Sequence, residues 1–326
     1  MKVLITGAAG FIGFHTSLRL TQLNHDVVGV DNLNDYYDVS LKNDRLNQLL
    51  EFPNFRFFQM DINNKEAMEE LFTKNKFDYV IHLAAQAGVR YSINHPMPYI
   101  ESNIVGFVQL LEMLRKYPVK RLFYASSSSV YGNSTEVPFS TNNRTDAPVS
   151  LYAATKKANE VIMHAYQNLY DIRATGLRFF TVYGPWGRPD MAYYSFAEAI
   201  MNHQPIKVFN QGKLSRDFTY IDDITDAMLA LLNLDQTQPD RLPNNSIYNI
   251  GNNHPVTLEE FISTLESLLG IEAIKEYVEM QPGDVETTYA DISPLKELIG
   301  YEPKTKLKKG LKIFVDWFKN YKENKR

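Results

Sequence analysis

The 326-residue chain contains no cysteine. Disulfides, thiol nucleophiles and cysteine-ligated metals are therefore excluded. The seven histidines show no i, i+4 pair or other metal-ligand spacing, so we expect no metal site. No apolar run approaches the roughly 18 residues of a membrane-spanning helix, and no signal-peptide pattern precedes the first strand. These absences predict a cytoplasmic protein.

An excess of positive charge is lacking as well. The formal net charge is −4 and the isoelectric point is about 6.0, which argues against nucleic acid or an anionic membrane as the main partner. The chain is 44% hydrophobic and 22% charged, an ordinary balance for a globular protein. Its length is enough for two lobes.

A glycine turn stands near the start of the chain. An apolar strand at residues 2–6 runs into GAAGFIG at 7–13, and an apolar helical face follows. Glycines let the backbone approach a pyrophosphate, and the amides at the start of a helix receive its negative charge. The spacing is GxxGxxG, and the strand–turn–helix context predicts a dinucleotide site. The predicted contact residues are Gly7, Gly10, Phe11, Ile12 and Gly13.

Polar or small residues follow the next strands. The second strand ends in Asp31-Asn32, and a carboxylate about 20 residues beyond the glycine turn accepts hydrogen bonds from the adenosine ribose. It would repel a 2′-phosphate, and no arginine stands next to it in sequence, so NAD is favoured over NADP. A third strand ends at Asp61-Ile62, near the adenine edge. The fourth, predicted over 79–85, brings the following residues beside the cofactor: Leu83, Ala84, Ala85 and then Gln86.

The alternation of strands and helices predicts the fold. Helices are expected at about 63–75, 96–116 and 150–169, and strands at about 121–125 and 172–178. This order indicates an α/β fold, a doubly wound parallel-sheet Rossmann domain with a smaller α/β substrate lobe. We expect 1–178 to bind NAD, with 218–250 returning to that domain. Residues 179–217 and 251–326 would form the smaller lobe, and 181–190 would be a loop.

A general base that removes the proton of a substrate hydroxyl is predicted near the middle of the chain. Tyr152 and Lys156 are four residues apart at a helix start and so share one face. A lysine ammonium stabilises the phenolate of a neighbouring tyrosine and lowers its pKa. The strand at 121–125 runs into four serines at 126–129, and a serine hydroxyl within reach could share the substrate proton.

With these motifs in order, the whole chain resembles the extended short-chain dehydrogenase/reductase family. Within that family it is most similar to the nucleotide-sugar 4-epimerases, above all those that act on UDP-glucuronate. The narrower likeness is carried by DNLNDYYD at 31–38, HLAAQAGVRYS at 82–92, LRFFTVYGPWGRPDMA at 177–192 and QPGD at 281–284.

The resemblance implies an NAD-dependent C4 epimerisation of a UDP-hexuronic acid, from UDP-glucuronate to UDP-galacturonate, through a 4-keto sugar. Tyr152 would be the base, Lys156 the cofactor-binding lysine and Ser127 the catalytic serine. It also implies that the smaller lobe, 179–217 and 251–326, binds the UDP-sugar, and that Arg216 meets the diphosphate, Asp284 the ribose and Phe209 the uracil. Family members commonly form homodimers through the helices near 96–116 and 150–169, which carry apolar residues in excess of one buried face.

The carboxylate of such a substrate needs its own contacts. Oxidation at C4 gives a β-keto acid, which loses CO₂ when the C5–C6 bond aligns with the carbonyl π system. Ser128, Ser129 and Thr181 offer short neutral donors, and Arg188 offers a bidentate fork, with Arg90 a second candidate.

Other activities stay open. Related dehydratases and decarboxylases place a carboxylate at 128–129, where this chain has two serines, and many galactose epimerases carry arginine and asparagine at the positions of Gln281 and Thr181. The alternatives are a 4-epimerase of UDP-GlcNAc or UDP-glucose type and a UDP-glucuronate decarboxylase. A non-catalytic NAD-sensing scaffold is the alternative from a different class, because fold alone does not establish function.

Overall fold

A computed structural model describes residues 1–279 and 285–325. Seven strands form the main sheet, in the order β10-β6-β5-β4-β1-β2-β3. Their bounds are β1 Lys2–Thr6, β2 Asp26–Asp31, β3 Phe55–Gln59, β4 Tyr79–His82, β5 Arg121–Ser127, β6 Ala174–Phe179 and β10 Ser246–Ile250. The pairs from β5 through β3 are parallel. The predicted Rossmann-type α/β fold is confirmed.

Helices cover the sheet. They are α1 Phe11–Gln22, α2 Val39–Leu50, α3 Lys65–Lys74, α4 Tyr91–Asn94, α5 Met97–Tyr99, a π-helix Ile100–Val105, α6 Gly106–Lys116, α7 Leu151–Tyr170 and α9 Ile221–Thr237. Val28 and Val30 belong to one core with the buried residues of α3 and α6, including Met68 and Phe107. Side chains alternate along a strand, so Gly29 faces the other way, towards Ala8 at the glycine turn.

The expectation of a fourth strand over 79–85 was wrong, because the strand ends at His82 and Leu83–Ala85 lie beyond it. The helix expected at about 96–116 is present as a continuous run of α5, the π-helix and α6. The helix α2 was not predicted, although Asp38 caps it by accepting from the Ser40 amide at 2.8 Å.

The remaining elements are shorter. They are the strands β7 Thr181–Tyr183, β8 Pro205–Phe209, β9 Ser215–Tyr220, β11 Pro255–Thr257, β12 Ile274–Val278 and β13 Thr287–Thr288, and the helices α8 Ala192–Met201, α10 Leu258–Leu269, α11 Ser293–Ile299 and α12 Leu307–Glu323. β9 pairs with β7, β11 and β13, while β12 pairs with β8. The Phe218 ring in β9 stacks on Phe261 of α10 at 4.5 Å. The expectation of a loop throughout 181–190 was wrong, because β7 begins it.

The chain divides into two compact units. The first contains Met1–Gly132, Arg144–Arg178 and Met228–Tyr248, and the second contains Asn133–Asn143, Phe179–Ala227 and Asn249–Arg326. The assignment of NAD to the first and UDP-sugar to the second stays a prediction. Over the described residues, no helix combines the length and the apolar character that crossing a membrane requires.

Candidate functional site

The glycine turn packs tightly where β1 meets α1. Gly7 has a φ of +74°, and a Cβ on it would lie 2.7 Å from the backbone nitrogen of Ala84. A Cβ on Gly13 would lie 2.0 Å from the carbonyl oxygen of Gly7. Gly10, the N-cap of α1, brings no side chain to the first amides of the helix. The turn therefore leaves backbone amides to meet an anion, which fits a dinucleotide pyrophosphate.

The carboxylate of Asp31 is buried at the end of β2 and lies beside this turn. It accepts hydrogen bonds from the backbone nitrogens of Ala9 at 3.1 Å and Leu33 at 2.9 Å. On the same turn, the fully buried Arg45 of α2 donates to the Ala9 carbonyl at 2.8 Å and to the Tyr37 hydroxyl at 2.7 Å. An arginine is thus close in space although none is adjacent in sequence. Its guanidinium is engaged by the protein's own backbone and phenol.

A polar pocket of about 220 Å³ lies in the first unit. Three of the predicted cofactor residues, Asn32, Asp61 and Gln86, line it. Asn32 Nδ2 donates to Asp61 Oδ2 at 2.8 Å. The other lining residues are Asn34, Asp35, Tyr36, Asn63, Tyr91, Pro98, Glu101 and Ser102. Ile62 lies elsewhere, since its side chain is buried against Gly106 at the start of α6. The pocket offers amide and carboxylate groups suited to a nucleoside edge.

The segment after β4 is held by a residue that sequence reasoning missed. Asn103, in the π-helix, accepts from the Gln86 backbone nitrogen at 2.8 Å and donates to its carbonyl at 3.0 Å. The same amide donates to Thr155 Oγ1 of α7 at 3.0 Å, and Asn159 of α7 donates to the Asn103 carbonyl at 2.6 Å. Asn103 therefore ties the predicted cofactor segment to the helix of Tyr152 and Lys156. A polar residue inside an apolar helical run was the available signal.

Tyr152 and Lys156 lie in the first turns of α7, which Ser150 caps by accepting from the Ala153 amide at 3.1 Å. Lys156 is buried, and its Nζ donates to the Ala125 carbonyl at 3.0 Å. Burial lowers the pKa of Lys156 to about 8. The ammonium therefore still predominates at pH 7, fixed against the end of β5.

The predicted catalytic serine lies at the end of that same strand. Ser127 is buried, and its Oγ accepts from the Ser129 amide at 3.1 Å. This bond caps a short 3₁₀ turn, Ser128–Tyr131, in which Ser128 and Ser129 are half-buried. Residues 126–131 are called the serine turn below. The serine turn begins at the end of β5, Tyr152 and Lys156 lie on α7, and β5 and α7 contact one another.

A buried histidine lies on the strand between them and the glycine turn. His82 ends β4, and its Nδ1 is 2.7 Å from Thr6 Oγ1 of β1. Burial, and secondarily the charge of Lys156, lowers the pKa of His82 to about 3. His82 is therefore neutral at physiological pH and adds no charge beside Lys156.

The predicted sugar-binding residues of the second unit lie on several elements. Thr181 begins β7 and pairs with Phe218, and Phe209 ends β8 opposite Val278. Arg216 in β9 donates from Nη1 to its neighbouring carbonyl at Ser215, 2.9 Å away. Asp284 and Gln281 lie outside the described residues. Arg90, in the first unit, is exposed at the start of α4.

Arg188 already holds a carboxylate. Its Nε donates to Asp190 Oδ1 at 3.0 Å and its Nη2 to Asp190 Oδ2 at 2.5 Å. The Arg188 backbone nitrogen donates to the buried Tyr193 hydroxyl at 3.1 Å. A Cβ on the preceding Gly187 would lie 1.8 Å from that hydroxyl. The loop is therefore closely packed, and its guanidinium is set as a bidentate fork.

No cluster of three or more histidine, aspartate or glutamate side chains able to hold a metal occurs within residues 1–279 and 285–325. Tyr152, Lys156 and the serines at 126–129 offer acid–base and electrostatic chemistry on the unit that carries the glycine turn.

Comparisons with known proteins agree with this geometry. The model of the NAD dependent epimerase/dehydratase family matches residues 3–251. Protein CapI of Staphylococcus aureus is 50% identical, with 98% of this chain and 99% of CapI covered. UDP-glucuronate 4-epimerase 4 of Arabidopsis thaliana is 47% identical over 98% of this chain and 76% of that protein.

A solved structure extends the similarity to the fold. UDP-glucuronic acid 4-epimerase from Bacillus cereus, in complex with UDP-glucuronic acid and NAD, superposes with a TM-score of 0.91 and 35% identity. The alignment covers 98% of this chain and all of that one (100%). The chain belongs to the NAD dependent epimerase/dehydratase family.

Proposed function

We propose that this chain converts UDP-glucuronate to UDP-galacturonate by NAD-dependent epimerisation at C4, through a transient 4-keto sugar. The observation that carries the proposal is similarity to UDP-glucuronate 4-epimerases over 98% of the chain. The serine, tyrosine and lysine that such chemistry needs stand on contacting elements of one unit.

The NAD site uses the carboxyl edge of the main sheet. The amides at the start of α1 would meet the pyrophosphate, because those of residues 7–10 donate to acceptors within the protein. Asp31 would meet the ribose and the Asn32–Asp61 pair the adenine edge. Leu83, Ala84 and Ala85 are half-buried after β4 and would pass beside the cofactor. When bound, NAD accepts a hydride from the sugar and later returns it.

The side chains of the first unit move the proton. Tyr152 takes the proton of the 4-hydroxyl while C4 loses its hydride, which leaves a 4-keto sugar. The ammonium of Lys156 stabilises the phenolate, and the Ser127 hydroxyl shares the proton. Return of the hydride to the other face of C4, with the proton from Tyr152, gives the epimer. The hydride and the proton removed in the first step are both returned in the second, so no second substrate is needed.

The sugar acid is recognised by two kinds of donor. Ser128, Ser129 and Thr181 would donate neutral hydrogen bonds to the carboxylate, and Arg188 would supply the charge. Arg188 Nε and Nη2 are bonded to Asp190 in the structure, so the substrate carboxylate would take the place of Asp190 on that edge of the guanidinium. Arg216, Phe209 and Asp284 are proposed for the UDP part, with Arg90 as a second contact to the acid.

The decisive experiment is product analysis by NMR after incubation with UDP-glucuronate, beside UDP-glucose and UDP-GlcNAc. We expect UDP-galacturonate as the main product, with the acid preferred over the neutral sugars. Conversion of only the neutral sugars would favour the other epimerases, and UDP-pentose as the main product would favour a decarboxylase. Absence of both turnover and 340 nm absorbance after addition of UDP-sugar would favour the scaffold.

Substitution of Asp31 by alanine is expected to weaken NAD binding more than NADP binding. The carboxylate would accept from the ribose hydroxyls of NAD but repel the 2′-phosphate of NADP. Titration of both cofactors, followed by fluorescence, measures the preference. An unchanged ratio of the two dissociation constants would contradict the ribose assignment. Asp26→Ala, at the opposite end of the same strand, is the matched control.

We also propose a homodimer. Large apolar side chains remain exposed on α4–α5, the π-helix and α7, where a second copy would cover them: Ile93, Met97, Val105, Val161, Leu169 and Tyr170. Phe107, Leu110, Leu111, Leu114 and Met163 of the same helices are buried in the core of the unit, so they would not contribute to this interface. The cytoplasmic location stays a prediction, and no nucleic-acid or membrane partner is proposed.

Light scattering is expected to give twice the chain mass of 37.5 kDa. Val161→Asp should shift the mass to that of the monomer, because an ionised side chain would be buried in the interface. Ile274→Asp is the control, since Ile274 is 53% exposed on β12 of the other unit. A wild-type mass of one chain would exclude the dimer.

A further inference from the structure

A buried ion pair between Arg178 and Glu160 contacts the serine turn. Arg178, at the end of β6, donates from Nε to Glu160 Oε1 at 2.8 Å and from Nη2 to Oε2 at 2.9 Å. Both residues are at most 4% exposed. Burial alone would raise the pKa of the Glu160 carboxyl, but the bonds and charge of Arg178 hold it below its usual value. Both members are therefore charged.

The pair reaches both ends of the serine turn. On the near side, Ser126 Oγ donates to Glu160 Oε1 at 2.7 Å. On the far side, Arg178 Nη1 donates to the Tyr131 hydroxyl at 2.9 Å. Ser126 and Tyr131 are buried and flank residues 127–130. One ion pair thus fixes the turn at its start and at its end.

The same pair is anchored on the helix that carries the base. Glu160 follows Tyr152 and Lys156 at intervals of four residues, so all three side chains share one face of α7. Because neighbouring residues of a strand point to opposite faces, fixing Ser126 against α7 also fixes the direction of Ser127. The distance between the serine hydroxyls and Tyr152 is then set through Glu160.

We propose that Glu160 and Arg178 are positioning residues for the epimerisation, and that Ser126 and Tyr131 are the contacts through which they hold the serine turn in register with α7. This inference rests on the proposed function for its catalytic meaning. The clamp itself, defined as the Ser126–Glu160–Arg178–Tyr131 network, is a property of the fold and is testable separately.

A matched control lies at the amino-terminal end of β5, in the same sheet. Arg121, at the start of β5, donates from Nε to Asp235 Oδ1 at 2.7 Å, and both side chains are at most 1% exposed. Arg121 also donates to the Leu242 carbonyl at 2.8 Å. This pair is as buried as the clamp but lies at the opposite end of β5 from Ser127.

The variants keep the ion pair intact, since removal of one buried partner would leave an uncompensated charge and put folding at risk. Ser126→Ala releases only the start of the turn, and Tyr131→Phe releases only its end. We expect each to lower kcat about ten- to a hundredfold, the scale of a small misplacement of reacting groups, with KM changed less than about twofold. The matched control is Thr175→Val, which removes only a hydroxyl that accepts from Arg121 Nη1 at 3.2 Å. It should lower the melting temperature and leave kcat at the wild-type value.

Hydrogen exchange of the amides at 127–132, followed by mass spectrometry, supplies a readout without turnover. Exchange should be faster in Ser126→Ala and Tyr131→Phe and unchanged in Thr175→Val. Faster exchange with unaltered kcat would overturn the positioning role, and so would an equal loss of kcat in Thr175→Val. Unchanged exchange would overturn the clamp. If the wild-type protein does not turn over UDP-glucuronate, the proposed function fails, and the exchange comparison alone decides the clamp.

Discussion

Tyr152→Phe is expected to lower epimerisation by about 10²- to 10⁴-fold, the range for a lost general base. The substitution removes one oxygen and leaves the ring beside Tyr99, whose centroid is 6.1 Å away. Folding and NAD binding should therefore be retained. The measurement is the initial rate of UDP-galacturonate formation, together with the melting temperature in the presence and absence of NAD.

Tyr166→Phe supplies the control on the same helix. Tyr166 donates to Glu112 at 2.8 Å, four turns along α7 from Tyr152. Its loss should alter stability slightly and the rate not at all. Near-normal turnover by Tyr152→Phe would remove the assigned base, and comparable losses in both variants would indicate a general disturbance of α7.

Arg188→Ala is expected to cost the acid substrate about 2 to 3 kcal/mol in kcat/KM, or roughly 30- to 150-fold, the scale of a lost charge-assisted pair. UDP-glucose or UDP-galactose should lose little, because they carry no carboxylate. Some UDP-pentose should form from the acid, since the 4-keto intermediate is a β-keto acid and its C5–C6 bond would be less restrained. Product separation with both substrates measures all three effects.

Two further variants separate the charge of Arg188 from the geometry of its guanidinium and from its ion pair with Asp190. Arg188→Lys keeps the charge but not the fork, so it should restore part of the rate and less of the control over decarboxylation. Asp190→Ala breaks the same ion pair while keeping the guanidinium, and its effect on the acid should be smaller than that of Arg188→Ala. Equal losses on acid and neutral sugar without any pentose would leave Arg188 a structural residue.

The sequence predicted the family, the sheet and the glycine turn because each depends on local patterns. Each of these patterns, an apolar strand, a three-glycine turn or a tyrosine–lysine pair at helical spacing, is contained within about twenty residues. The family membership is confirmed by the match over 3–251 and by relatives aligned over 98% of this chain.

Other features depend on partners that are distant along the chain. Lys42 and Arg45 are buried in α2, so the core face of that helix has charged residues where an apolar pattern is sought. Asn103 acts through Gln86, 17 residues before it, and Glu160 through Ser126, 34 residues before it. No periodicity encodes such pairs. The two- and three-residue strands β13, β7 and β11 are too short to show alternation.

The packing of Gly7 and Gly13 has a consequence for comparing this chain with its relatives. Each glycine is required by contacts that the protein makes with itself, at the Ala84 nitrogen and at the Gly7 carbonyl. A descendant that had abandoned the dinucleotide would still need both residues to fold. Preservation of these glycines in a divergent sequence therefore reports an intact scaffold. Whether such a protein remains an enzyme must be judged from side chains that are not required for folding.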